Sequence, residues 1–140
     1  MMEEERIDIE IVVHPPVEIY KKAKEKWGVD FKDVIFTVGN MIHHHKDKRL
    51  TPELLQHELV HVKQQAAYGV EAWWDRYFED DEFRLSQEVP AYQVQYQVAR
   101  ENIKDRNQLT KYLFEIASYL SGKIYGNIIG HSEAVKLIKQ

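Results

Sequence analysis

From Thr51 to Gly69 the chain has little choice but to form a helix, and that helix constrains everything packed around it. Thr51 offers a hydroxyl at the N-cap, Pro52 fits the first helical position, Glu53 adds a first-turn acid, and Gly69 stands where a C-terminal cap belongs. The pattern predicts a helix from Pro52 to Tyr68. At about 100° per residue, Leu55, Leu59, Val62 and Ala66 form a narrow apolar stripe. The front of the wheel holds Leu54, His57, Glu58, His61 and Gln65, where a surface helix would carry Lys and Arg. Such a helix is buried on one side and turned toward a cleft on the other.

Within it, His57-Glu58-Leu59-Val60-His61 is an H-E-x-x-H motif. The two histidines lie about 40° apart around the helix and one turn apart along it, so both imidazoles reach one metal ion. Glu58 lies about 60° beyond His61, close to such an ion without being forced to ligate it. Chance predicts only about 0.04 such matches at this His and Glu content, which weighs against two solvated histidines on an ordinary helix. The chain has no cysteine, which excludes disulfides, thiol catalysis and Cys-based zinc sites. A bound metal therefore rests on His, Asp and Glu. Zn2+ is the natural partner of two neutral imidazoles, and a catalytic zinc takes a third protein ligand plus water. Two sources of that ligand stand downstream. Glu88, in Ser86-Gln87-Glu88-Val89-Pro90-Ala91, reads as the first turn of a helix, where Pro90 is tolerated. The acidic run Glu79, Asp80, Asp81, Glu82 is the other, and otherwise a solvated turn.

The rest of the chain is read as one domain spanning residues 1–140, since 44% hydrophobic and 30% charged residues suit a globular core and no linker or repeat interrupts it. A net charge of -4 argues against nucleic-acid binding driven by phosphate contacts, and the lysines at 21, 22, 24 and 26 read as a solvated helix face. Met1 to Glu10 carries four glutamates and no apolar run, unlike a signal peptide. No segment approaches the roughly 18 apolar residues that span a bilayer, so the expectation is a cytoplasmic chain with no membrane partner. Ile7 to Val13 alternates as a strand, and Val17 to Trp27 has helical spacing closed by Gly28. Val34 to Val38 and Met41 to His45, joined by Gly39-Asn40, read as a hairpin. There His43 and His45 share one face as exposed residues lining or flanking a cleft. A short helix carries the core aromatics Trp73, Trp74, Tyr77 and Phe78, with one Trp available to floor a pocket. Further helices run from Ser86–Glu88 to about Ile103, from Leu109 to Leu120, and, capped by Ser132, to Ile138. The fold class is α+β: a small N-terminal sheet with a hairpin edge strand, packed on a mostly helical C-terminal part.

His57-Glu58-x-x-His61 followed by Glu88-x-x-Ala91 on a later helix resembles the gluzincin clan of zinc metallopeptidases. The run His-Glu-Leu-Val-His-Val-Lys-Gln-Gln is similar to small bacterial and phage-encoded HExxH proteins, and the resemblance covers roughly residues 51 to 96. It implies a zincin-like fold, Zn2+ held by His57, His61 and Glu88, and Glu58 as the general base that activates water against a peptide or protein substrate. It also implies a close approach of the two helices at Ala91, and that Met41–His45 is a sheet edge along which substrate lies. For the Tyr or His that stabilises the oxyanion in this clan, His131 and Tyr125 are the candidates, with Tyr92 and Tyr96 as alternatives. The rival class of function is a non-catalytic, metal-dependent peptide- or protein-binding module on the same fold.

Overall fold

Short runs of β-prone residues on either side of a two-residue turn build the sheet. The computed structural model describes residues 8–140. Strand β1 (Glu10–Val12) is the core of the strand expected from Ile7, which itself lies outside the described residues, as does the glutamate run at 3–5. β2 (Phe36–Val38) and β3 (Met41–His43) form an antiparallel hairpin with Val38 opposite Met41. Gly39 at its tip has φ 63°, as a primed turn with glycine at its first central position requires. β1 pairs with β3 in parallel, giving the order β1-β3-β2.

That order corrects the expectation that Met41–His45 is a sheet edge. β3 is the central strand, held on its far side where the Glu10 N–H donates to the Asn40 carbonyl and the His44 N–H to the Val12 carbonyl, at 2.9 and 3.0 Å. Parallel pairing needs a crossover, and helix α1 (Val17–Trp27), ended by Gly28 at φ 66°, supplies it. The edges are β1 and β2. His43 is buried, its Nδ1–H bonded to the His14 carbonyl at 2.9 Å, instead of lining a cleft.

Five more α-helices follow among the described residues: α2 (Pro52–Tyr68), α3 (Val70–Glu79), α4 (Asp81–Asn102), α5 (Arg106–Leu120) and α6 (His131–Lys139). A 3-10 turn, Lys123–Tyr125, precedes α6. α2 has the expected bounds, and the Leu54 N–H donates to Thr51 Oγ1 at 3.2 Å. α4 starts earlier than its sequence suggests, because Asp80 caps it by accepting from the Phe83 N–H at 3.0 Å. Pro90 is therefore inside the helix, where it cannot donate to the Ser86 carbonyl. α6 begins after Gly130, with Ser132 in its first turn and no side-chain cap. None of these helices is long and apolar enough to cross a membrane.

The aromatic face of α3 anchors the core. Trp73 stacks on Tyr77 at 4.7 Å and Trp74 meets Phe78 at 5.4 Å, the i,i+4 pairing that helical spacing dictates. α5 and α6 close the far side with Ile116, Ala117, Leu120, Ala134 and Ile138. Buried Arg84 ties these parts together: it donates to the Tyr77 carbonyl at 2.6 Å and the Tyr125 carbonyl at 2.9 Å, pairs with Asp81, and lies over the Trp27 ring.

Gln65, fully buried on α2, joins helix to sheet. Its Nε2 donates to the Thr37 carbonyl at 2.7 Å, and its Oε1 accepts from the Gly39 N–H at 2.7 Å. Gln65→Leu leaves that N–H without its partner and is expected to destabilise the protein by about 1–3 kcal/mol. A lower urea midpoint at unchanged slope is the measurement.

Candidate metal centre

α2 packs more extensively on α4 than on any other element; from the front of its wheel His57 and His61 face that helix, while Glu58 and Gln65 face β2. Ala91 of α4 is fully buried. One turn before Ala91, Glu88 extends from α4 toward His57 and His61 of α2. His57 Nε2, His61 Nε2 and Glu88 Oε1 form a triangle whose three edges are each 3.2 Å. All three residues are 3–5% exposed. An ion held tetrahedrally by ligands at 2.0–2.1 Å has ligand–ligand edges of about 3.3 Å. Two imidazole lone pairs and a carboxylate oxygen repel at this spacing unless a cation or a proton lies between them. His57, His61 and Glu88 thus form a group that could hold a metal ion.

Neighbouring amides set the imidazoles for that task. The Gln87 backbone carbonyl only accepts, so the Gln64 amide nitrogen must face it, at 3.0 Å. Gln64 Oε1 then points at His61 Nδ1, 2.8 Å away, and requires the proton there. His61 Nε2 is left facing the centre of the triangle, and offers its lone pair there once its proton is displaced. Gln95 repeats the arrangement for His57, with Oε1 2.8 Å from Nδ1 and Nε2 donating to the Tyr112 hydroxyl at 2.9 Å. Glu88 is steadied through its other oxygen by the Tyr77 hydroxyl at 2.5 Å. The ring of Trp73 lies 5.5 Å from that of His61, flooring the site as the aromatic spacing allows.

Glu58 stands beside the triangle and outside it. Its Oε1 accepts from the Thr37 hydroxyl of β2 at 3.0 Å, and its Oε2 is 3.8 Å from His57 Nε2. Burial pushes the Glu58 carboxyl up, opposed by the two imidazoles. Burial also works against ionised Glu88, but the imidazoles of His61 and His57 prevail and hold its carboxyl well below the usual carboxylate range. For His61, burial disfavours the charged form, yet Glu88 and then Glu58 outweigh it and lift the pKa to about 9. Burial keeps the Tyr77, Tyr92 and Tyr125 hydroxyls protonated far above neutrality.

The remaining candidates separate. Tyr92 and Tyr125 share a hydroxyl–hydroxyl bond of 2.7 Å in the wall of the cavity that holds the triangle, and the Tyr92 ring lies 4.5 Å from that of His57. Tyr96 is packed in the hydrophobic core. His131 is exposed at the start of α6, its Nε2–H donating to the Phe114 carbonyl, and it does not line this cavity. Two members of the acidic run are occupied elsewhere: Asp80 caps α4 and pairs with Arg76 at 3.2 Å, and Asp81 pairs with Arg84. Thr37, Gln95 and Tyr77 carry no motif that marks them. Gln64, three residues after His61 on one helix, is the partner that spacing reveals. Against protein-family models, curated proteins and solved structures the chain finds no match, so its function is read from the site.

Titration with zinc is expected to give one site per chain, abolished in His61→Ala. At pH 7, below the raised pKa of His61, the metal-free site holds a proton that the ion must displace. Binding should therefore release a proton and weaken by about tenfold per unit as pH falls. Calorimetry in buffers of differing ionisation enthalpy reads that release.

Proposed function

We propose that this chain is a zinc-dependent metallopeptidase, hydrolysing peptide bonds with Glu58 as general base. The observation that carries the reading is the equal-sided triangle of His57, His61 and Glu88 with an unligated carboxylate, Glu58, at its side. Two imidazoles and one carboxylate are a donor set of catalytic zinc, which keeps a position open for water or substrate. A bound zinc ion supplies Lewis-acid activation of water and polarises the substrate carbonyl.

Proton handling belongs to the protein. Thr37 engages Oε1 of Glu58, which leaves Oε2, on the side of the triangle, to take the proton from the attacking water. Because burial raises its pKa, Glu58 holds that proton more readily than a solvated carboxylate and can return it to the leaving amine. In the Tyr92–Tyr125 pair one hydroxyl donates to the other, and the accepting hydroxyl keeps its own hydrogen for the oxyanion. The Thr37 carbonyl is taken by Gln65 and Trp74, so the substrate backbone lies along residues 34–36, which line the cleft on the way into β2, in place of Met41–His45.

Zinc-loaded protein is expected to cleave an unfolded protein or a mixed peptide library. Glu58→Gln should keep one zinc per chain and lower kcat by about 10²–10⁴-fold. Thr37→Val should lower kcat at full zinc occupancy, with Thr37→Ser restoring it. Activity should fall as pH drops through the raised pKa of Glu58, because the base is then protonated. Full zinc occupancy with no cleavage of any library member would leave the metal-dependent binding module as the better reading.

A further inference from the structure

We infer that the cleft beside the metal centre selects substrates that place a large apolar side chain, above all an aromatic one, next to the bond that is cut. The inference rests on the hydrolase reading and names the substrate class for it. The cavity has a volume of about 290 Å³, the small end of the range for ligand pockets. That room takes one bulky side chain with its flanking backbone. One wall carries the metal-ligand triangle and Glu58, and the cavity extends from there to α1 and the segment leading into β2.

Away from the triangle, much of its lining is apolar. Ala23 and Trp27 of α1, Val34 and Phe36 at the sheet, Leu54 of α2 and Trp74 of α3 enclose it. These walls are set before any ligand arrives, since Trp27 stacks on Phe78 at 5.4 Å and Phe36 packs on Trp74 at 6.4 Å. Three polar groups of the aromatic lining are already engaged. The Trp74 indole N–H donates to the Thr37 carbonyl, that of Trp73 to Gln87, and the Tyr77 hydroxyl to Glu88. Among the described residues no buried side-chain nitrogen or oxygen lacks a hydrogen-bond partner. Outside the triangle and Glu58, the charged side chains in the lining are Asp33, which is exposed, and Lys48, which is half-buried, one of each sign. A charged or hydrogen-bonding side chain entering the part of this cavity bounded by Ala23, Trp27, Val34, Phe36, Leu54 and Trp74 would lose its water among apolar side chains. An aromatic one would gain by burial, on the order of ten- to a hundredfold in affinity.

The test compares three hydroxamates, which share one metal-chelating group, on the zinc-loaded protein by calorimetry. 3-Phenylpropionohydroxamate is expected to bind at least tenfold tighter than acetohydroxamate, and succinic monohydroxamate no tighter than acetohydroxamate. Leu54→Asp, at a half-buried position in the wall, should shrink the phenyl advantage and leave acetohydroxamate binding intact. Equal affinity for the phenyl and methyl compounds, or tighter binding of the carboxylate, overturns the inference and leaves the hydrolase reading standing. Failure of acetohydroxamate to bind a protein holding one zinc per chain overturns that reading, and the inference with it.

Discussion

Four ionisable side chains, His57, Glu58, His61 and Glu88, face one another between two helices and out of water. Taking such groups from solvent costs several kcal/mol each unless partners replace the water, and the surroundings are built to replace it. Thr37 and Tyr77 donate to the two carboxylates, and Gln64 and Gln95 accept from the imidazoles. These partners are all neutral. Once the His61 proton is displaced, the formal charge of the group is that of its two carboxylates, which one divalent cation balances. Tyr92 and Trp73 set ring faces and edges against the imidazoles where water would otherwise sit.

The residues that hold the fold together also set the site. Gln65 and Trp74 both donate to the Thr37 carbonyl, so the strand that carries the Thr37 hydroxyl is fastened to α2 and α3. A shift of β2 would move the partner of Glu58. Arg84 plays the corresponding part on the other side, holding the carbonyls of Tyr77 and Tyr125, whose hydroxyls reach Glu88 and Tyr92. Preorganisation of this kind keeps side-chain geometry within the narrow limits that metal binding and proton transfer demand.

Local features were legible in the sequence where they depend on local rules. The bounds of α2 follow from its caps, and the shared direction of His57 and His61 follows from helical pitch. The stacking of Trp73 on Tyr77 is likewise an i,i+4 consequence. Pro90 misled for a local reason too: proline most often marks a first turn, and the cap at Asp80 that starts α4 earlier competes with it. The edge assignment of Met41–His45 failed because strand order depends on which strand adds to the hairpin, and β1 comes from a distant stretch of chain. Thr37 could not be singled out, since a threonine in a strand is ordinary until a carboxylate is found against it.

By itself the sequence determined that two imidazoles and a carboxylate project from one helix at metal-binding spacing, and that no thiol competes with them. Helix geometry and composition suffice for that. Only the tertiary structure decided that Glu88 completes the triangle, that Thr37 and not a sequence neighbour engages Glu58, and that Tyr125 with Tyr92 lies at the cavity while His131 does not. Those choices depend on how helices and strands far apart in the chain pack together. Packing is decided by summed burial across the whole core, which no short stretch of residues encodes.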